Sequence, residues 1–403
     1  MKLRENYEFT GKQTALIGVL LVSILAAVLW RIRSLDGIYI IGDEFGYWAD
    51  AAFFAGKNWS EVGSMNPYYS FGYSLILAPL FLLGKPALMY KAAVLLNGVF
   101  LCGSFLLTIF CGKKLFRDLN RWNLILFSWC VNVFSSMILY AQTTLAENLI
   151  VFVFLLGTAL YFRFLEKPGY LRACLTGLAF GYLYSIHMRT LTVLVALAFC
   201  LILVFRQKKA SWRYILTLVL TIAVCVFAAN QIKEILVENV YLSNASVSTN
   251  DYSGQVEKLS SLLSVDGVLA LFFSFLGKVW YVGCSTFFLA WWGIVFLIHQ
   301  VYNRMRKKEM GEDEHRILFL LLAFLGALAI NCIYMSYFGR VDTLIYGRYS
   351  EYVYILILFV GLYAMMQSRH RGKLCALFSV AAILLTFCVR GILDWAETTT
   401  FIY

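Results

Sequence analysis

Two adjacent carboxylates, Asp43 and Glu44, stand in a run of glycines and aromatics, Gly42-Asp43-Glu44-Phe45-Gly46-Tyr47-Trp48. Asn58-Trp59-Ser60 and Asn66-Pro67-Tyr68-Tyr69-Ser70-Phe71-Gly72-Tyr73 follow. Farther along come Glu147, His187, Arg189, Arg340, Tyr346 and Arg348. An acid facing several arginines suits one type of reaction. The carboxylate takes the proton of an acceptor hydroxyl as that oxygen attacks a sugar carbon. Arginines hold and neutralise a departing phosphate through paired hydrogen bonds. Tyr47, Trp48, Trp59, Tyr68, Tyr69 and Tyr73 offer rings on which a sugar can stack, and the same rings also suit an aromatic belt at a membrane surface.

The elements that must position these residues are membrane helices. Of 403 residues, 61% are hydrophobic and 14% charged, with four prolines. Apolar stretches of about 20 residues recur along the whole chain, each long enough to cross the ~30 Å hydrocarbon layer. In lipid a backbone must satisfy its own hydrogen bonds, so such stretches are helices. An all-α polytopic membrane protein is expected, with 1–403 forming one integral membrane domain. The net charge of +11 does not point to nucleic acid. Its Lys and Arg gather on alternate connections, the positive-inside bias of a membrane protein, and this sets the orientation. The ten cysteines show no metal-ligand or disulfide spacing and read as small buried hydrophobes.

About eleven spans are expected. The N-terminus, 1–12, is cytoplasmic and span 1, 13–32, is a retained helix rather than a cleaved signal peptide. The first outer loop, 33–87, contains a short helix from 43 to 56 whose apolar face is Phe45, Trp48, Ala49, Ala52 and Phe53. Residues 72–83 are apolar but too short to span, so they lie in the interface; a crossing there would put Lys113, Lys114, Arg117 and Arg121 outside. Span 2 (88–111), span 3 (122–140), span 4 (to about 164), short spans 5 and 6 with His187 and Arg189 between them, and span 7 (to about 231) complete a module over 1–232. The 233–403 part holds a second outer loop, 233–266, rich in Ser and Asn and expected to be mobile over a site. It also holds a long apolar span 8, preceded by an interfacial helix at 267–277, and spans 9 to 11. The C-terminal tail, 391–403, is expected outside.

Asp43, Glu44, Glu147, His187, Arg189, Arg340 and Arg348 all land at the outer ends of spans. Ionisable groups at membrane depth are costly, and several at one face point to a functional site. The alternative is snorkelling side chains and interfacial anchors, which suits the long arginines better than the short Asp43.

The Asp-Glu pair in the first outer loop, the interfacial helices after it and the multi-span scaffold resemble the GT-C class of glycosyltransferases. The pair Asp43-Glu44 resembles the motif of the protein O-mannosyltransferases and the aminoarabinose transferases of lipid A. This resemblance covers 1–205 and thins out afterwards. It implies a polyprenyl-phosphate sugar as donor and the first-loop aspartate, Asp43, as catalytic base, with Glu44 in a supporting contact. Glu147 falls where those families place another carboxylate, and Gly347-Arg348-Tyr349 resembles their late Arg-Tyr motif. Arg189, Arg348 and Arg340 are then expected at the donor phosphate. Glu147, His187, Tyr47, Trp48, Tyr68, Tyr69 and Tyr346 are expected around the substrate. Two features depart from the pattern. Pro67-Tyr68-Tyr69 replaces a Lys-Pro-Pro common in the aminoarabinose branch, and the large outer C-terminal domain of several members is not expected here. Acceptor recognition is therefore assigned to the 233–266 loop and the interfacial helices.

The expected function is transfer of a sugar from a polyprenyl-phosphate donor to a glycan, lipid or protein acceptor at the outer face of a bacterial plasma membrane, with inversion. A transporter or flippase would place ionisable groups near mid-membrane, and an O-antigen-type ligase or polymerase would lean on arginines in a large late outer loop. Asp43, Glu44 and Glu147 could together hold a divalent cation. Arginine suffices for a monophosphate, so no cofactor or metal is expected.

Overall fold

The computed structural model describes residues 9–243, 262, 264–306, 311–336 and 342–395. Among them the chain is helical, with no strand. The first half comprises α1 (Gly11–Leu29), α2 (Ile41–Phe54), α3 (Ser60–Gly63), α4 (Gly72–Leu77), α5 (Pro86–Leu115) and α6 (Arg121–Asn132). It continues through α7 (Ser135–Ala141), α8 (Glu147–Glu166), α9 (Tyr170–Ile186), α10 (Leu191–Arg206) and α11 (Trp212–Asn239). The second half comprises α12 (Val265–Ser285), α13 (Leu289–Arg306), α14 (Glu312–Tyr334), α15 (Asp342–Ile345), α16 (Tyr354–Gln367) and α17 (Arg371–Trp395).

The protein is a multi-pass membrane protein, and lipid explains which helices sit where. Of the apolar stretch of α8, 78% is buried, against 11% in α1 and in α11. Thus α8 is the axis, with α5 and α9 packed on it, while α1 and α11 lie outermost. Helix α10 packs on α14, α13 on α16, and α12 on α17 and α15. A single apolar core runs from Leu20 to Tyr363, so the two halves share one interior.

Among the described residues, eight helices are long and apolar enough to cross a membrane, or nine if the bent pair α6 and α7 is one span, against the eleven expected. The expected spans outside that count are α9 and α16, of 17 and 14 residues, and α13, the expected span 8. Span 3 is not one rod, since α6 and α7 meet at 59°. The segment 267–277, expected to be interfacial, is instead part of α12, a helix of 21 residues that is long and apolar enough to cross, and it divides from α13 at Thr286–Phe288. There Phe287 and Phe288 adopt φ of 50° and 65°, and the Phe288 N–H closes α12 on Gly283 O at 2.8 Å. Much of the 233–266 loop lies outside the described residues.

The first loop also differs from expectation. Residues 72–83 form α4 and a short 3-10 turn, in keeping with a non-crossing segment. Helix α2, however, has no solvent face along its middle, because Gly46 to Ala52 are all buried. It is sunk into the bundle rather than laid on a surface.

Candidate functional site

Helix α2 begins with two acids in its first turn, where the N–H groups and the helix dipole favour negative charge. Successive residues of a helix project about 100° apart, which gives Asp43 and Glu44 different neighbours. Glu44 is fully buried and accepts five hydrogen bonds: from Ile40 N at 2.7 Å, Tyr39 N at 3.0 Å, Tyr90 Oη at 2.8 Å, Thr144 N at 2.7 Å and Thr144 Oγ1 at 2.5 Å. Both its oxygens are taken. It fastens the start of α2 to α5 and to the turn before α8, and it does not join the ionic cluster.

Asp43 faces that cluster. Its Oδ1 accepts from Tyr69 Oη at 2.9 Å, and its Oδ2 pairs with Arg348 Nη1. Tyr69 reaches it by lying flat on α2, where a Cβ on Gly46 would come within 2.0 Å of the Tyr69 ring. Glycine at 46 is therefore needed for that hydrogen bond. Arg348 Nε donates to Glu147 Oε1 at 2.5 Å, and Arg189 Nη2 donates to the same oxygen at 3.2 Å. Glu147 opens α8, and Arg189 lies in the 3-10 turn Met188–Thr190 between α9 and α10. Thus residues 43, 147, 189 and 348, far apart in the chain, form a closed quartet of two acids and two bases.

The quartet is buried to unequal depths. Side-chain exposure is 1% for Arg189, 4% for Glu147, 13% for Arg348 and 31% for Asp43. Burial works against the Arg348 charge, yet Glu147, Tyr346 and Asp43 hold its pKa well above the ordinary value. The Arg189 guanidinium sits over the Tyr349 ring at 5.0 Å and the Tyr352 ring at 5.9 Å. Burial, and then the positive Arg189 and Arg348, push His187 well below the usual histidine range, so it is the neutral imidazole whose Nδ1 accepts from Arg189 N at 3.3 Å. Three buried atoms keep unused hydrogen-bonding capacity: Glu147 Oε2, Arg189 Nε and Arg189 Nη1. Unused polar groups in a core are costly and call for a polar partner.

The turn bearing Arg348 is pinned from several sides. Asn331 Nδ2 donates to Tyr346 O at 2.9 Å and to Ser350 Oγ at 3.2 Å. Gly347 lies so near the Tyr281 ring of α12 that a Cβ would meet it at 1.7 Å. Buried Glu351 accepts from Tyr140 Oη at 2.8 Å and from Tyr281 Oη.

The expected site residues thus divide. Asp43, Glu147, Arg189 and Arg348 converge, with Tyr69, Tyr346 and His187 in contact with one or another of them. Tyr346 Oη accepts from Arg348 Nη1 at 3.4 Å. Tyr47 is buried edge-on to Tyr69 and Tyr73. Four rings expected to stack on sugar are instead packed away: Tyr47, Tyr73, whose Oη donates to Asn97 Oδ1 at 3.0 Å, Trp48 and Tyr68. Trp48 donates from Nε1 to Thr144 Oγ1 at 3.0 Å and meets Phe81 edge-on, and Tyr68 is buried against Tyr241. Arg340 lies outside the described residues. Tyr352, Glu351 and Tyr281 are not among the expected site residues, and Tyr349 figures there only through the Gly347-Arg348-Tyr349 motif. Among the described residues no three metal-ligating side chains converge. A cleft of about 320 Å³, lined by Phe53, Lys57, Asn58, Trp59 and Asn239 among others, opens at the far end of α2, away from the quartet.

No family model and no curated protein matches the chain. Solved structures do. One is ArnT from Cupriavidus metallidurans bound to undecaprenyl phosphate, with TM-score 0.50 and 11% identity over 94% of this chain and 64% of that one. Another is the archaeal oligosaccharyltransferase AglB from Archaeoglobus fulgidus in complex with an inhibitory peptide and a dolichol-phosphate. Its TM-score is 0.49, with 10% identity over 98% of this chain and 57% of that one. The fold is of the GT-C type. The chain spans just under two thirds of the length of ArnT, and at this identity the likeness is one of fold.

Proposed function

We propose that the protein is a GT-C glycosyltransferase that moves a sugar from a polyprenyl-phosphate donor to a hydroxyl of a glycan, lipid or protein acceptor. The observation that carries this reading is the quartet. A partly exposed carboxylate, Asp43, pairs with the half-buried Arg348, which shares Glu147 with the buried Arg189, on a GT-C-type frame. The solved ArnT structure holds undecaprenyl phosphate, a ligand whose phosphate suits such arginines. Asp43 takes the acceptor proton, the acceptor oxygen attacks the anomeric carbon from the side opposite the phosphate, and the configuration inverts. Arg348 and Arg189 receive the charge left on the phosphate oxygen, while Glu147 keeps the two guanidinium groups apart and aligned. The distribution of basic connections supports an orientation with the Asp43 end on the outer side of the membrane, which we take to be a bacterial plasma membrane.

The test is sugar transfer by the purified protein in lipid, supplied with polyprenyl-phosphate sugars. Transfer that depends on Asp43 supports the reading. Equal transfer by the Asp43→Asn variant removes Asp43 from the base role, and with it most of this proposal.

A further inference from the structure

Asp43 and Glu147 both grip Arg348, but they are not equivalent. Glu147 bridges both arginines through one oxygen and is almost wholly enclosed, with 4% side-chain exposure. Asp43 touches only Arg348, at Nη1, and is 31% exposed. Its other oxygen is held by Tyr69 at 2.9 Å, a contact that survives if Arg348 is lost. Each arginine already faces a carboxylate, and the quartet is electrically balanced. A phosphodiester entering it adds one negative charge, and like charges crowded at low dielectric are costly. One acid must yield its place.

We infer that the donor phosphate displaces Asp43 from Arg348, so that seating the donor and freeing the base are one event. Resting on the proposed function above, this inference adds an order of binding and a division of labour. Glu147 is the fixed counter-ion, a positioning residue. Asp43 is the exchangeable one, and Tyr69 keeps it in place after the exchange. The freed Oδ2 then accepts the proton of the acceptor hydroxyl. The acceptor oxygen bonds to the anomeric carbon, and the carbon–oxygen bond to phosphate breaks with its electron pair staying on the phosphate. The lipid phosphate so formed carries one more negative charge than the donor's phosphodiester and grips the arginines harder. Asp43, once its proton passes to water, competes for Arg348 again and helps to expel the product lipid. An acceptor meeting the enzyme before the donor finds the base still engaged.

Removing the base should therefore tighten lipid-phosphate binding. The experiment measures undecaprenyl phosphate affinity of the full chain in nanodiscs, without acceptor, for wild type, Asp43→Asn, Asp43→Ala, Tyr69→Phe and Arg348→Gln. Losing a competing charged hydrogen bond is worth about tenfold, so both Asp43 variants should bind about tenfold more tightly. Tyr69→Phe should bind like wild type, and Arg348→Gln more weakly. The gain should persist at about 0.5 M salt, where the field of a partly exposed charge is screened within a few ångströms. If the Asp43 variants bind no better, or their gain vanishes in salt, while Arg348→Gln still weakens binding, the exchange is overturned and the phosphate site stands. If Arg348→Gln binds like wild type, the phosphate site itself fails.

Discussion

Helix α8 carries a charge cluster at each end, Glu147 at its first residue and Glu166 at its last, roughly 30 Å apart. At the Glu166 end, a fully buried Arg316 meets Glu166 Oε1 at 2.7 Å, Asp313 Oδ1 at 2.5 Å and Glu312 Oε2 at 3.5 Å, and donates to Lys114 O at 3.0 Å. Lys114 adds a second pairing to Glu166 at 2.8 Å. Those acids are 27–46% exposed, and only Nε of Arg316 lacks a partner. One guanidinium surrounded by acids and a carbonyl is a clamp that ties α5, α8 and α14 together. At the Glu147 end the proportions reverse. Two enclosed arginines share one enclosed acid, and three polar atoms of that trio are left unused. A cluster whose bonding is nearly complete holds the fold; one with several unused buried atoms is built to receive something.

The sharpest way to break that contrast is at Asp43. Asparagine there keeps the shape and removes the base, so turnover should fall by roughly 10²–10⁴. Because Arg348 retains Glu147, the melting temperature in lipid should hardly move. Unchanged turnover, or a collapse of the fold, would make the two ends alike. The arginines come next. Arg348→Ala should cost about 2 kcal/mol or more in kcat/KM, some thirtyfold, with Lys recovering only part because its ammonium lacks the flat fork. Arg189→Ala should act in the same direction. The measurement is steady-state transfer from a polyprenyl-phosphate sugar, and wild-type rates in both would reduce them to anchors.

At the opposite end the readouts should swap. Arg316→Met leaves carboxylates that can turn to solvent, so the expected loss is about 1–3 kcal/mol of stability rather than the larger cost of stranding a buried charge. Turnover per folded molecule should stay at the wild-type level. A drop in kcat at unchanged thermal stability would contradict the clamp and imply that the two ends communicate through α8.

Much of this arrangement is legible in the sequence, for a physical reason. Lipid forces apolar stretches into helices, and helix count then fixes which connections share a side, so Asp43, Glu147, Arg189 and Arg348 could be gathered before any contact was known. The same logic fails where bonding is local. Nothing in the Asp-Glu pair says that Glu44 is saturated by Thr144, Tyr90 and two backbone amides while its neighbour is not. Tyr69, expected as a stacking ring, hydrogen-bonds Asp43, and the signal for that is Gly46 inside the expected 43–56 helix, where the missing side chain makes room for the ring. The break at Thr286–Phe288 carries no Gly or Pro to announce it. Helix α16, at 14 residues, is shorter than a bilayer and is buried against its neighbours, whereas α9, at 17, keeps Leu171, Leu175 and Leu178 on an exposed face.

The finest contrast lies within α2. Asp50 is seven residues, two turns, beyond Asp43, on nearly the same helix face. Where Asp43 is paired and partly exposed, Asp50 is wholly buried, and its carboxyl oxygens have no well-formed hydrogen bond. Burial raises its pKa well above the usual aspartate range, and the facing Tyr241 hydroxyl offsets this only in part. That hydroxyl also accepts from Tyr69 N at 3.2 Å, so Asp50 lies beneath the segment that positions Asp43. The unfolded chain releases this proton near pH 4, whereas the folded chain keeps it to higher pH. Between those values the folded state binds more protons, so stability falls as pH rises, until the raised pKa is passed. Asp50→Asn cannot ionise and should flatten that slope. The variant should match the parent near pH 4 and exceed it by on the order of 1 kcal/mol near pH 8. Thermal melts in nanodiscs from pH 4 to pH 8 would decide it. A variant that melts lower than the parent at pH 8 means that Asp50 is ionised and paired in the folded protein, and the two aspartates of α2 are then less different than their burial implies.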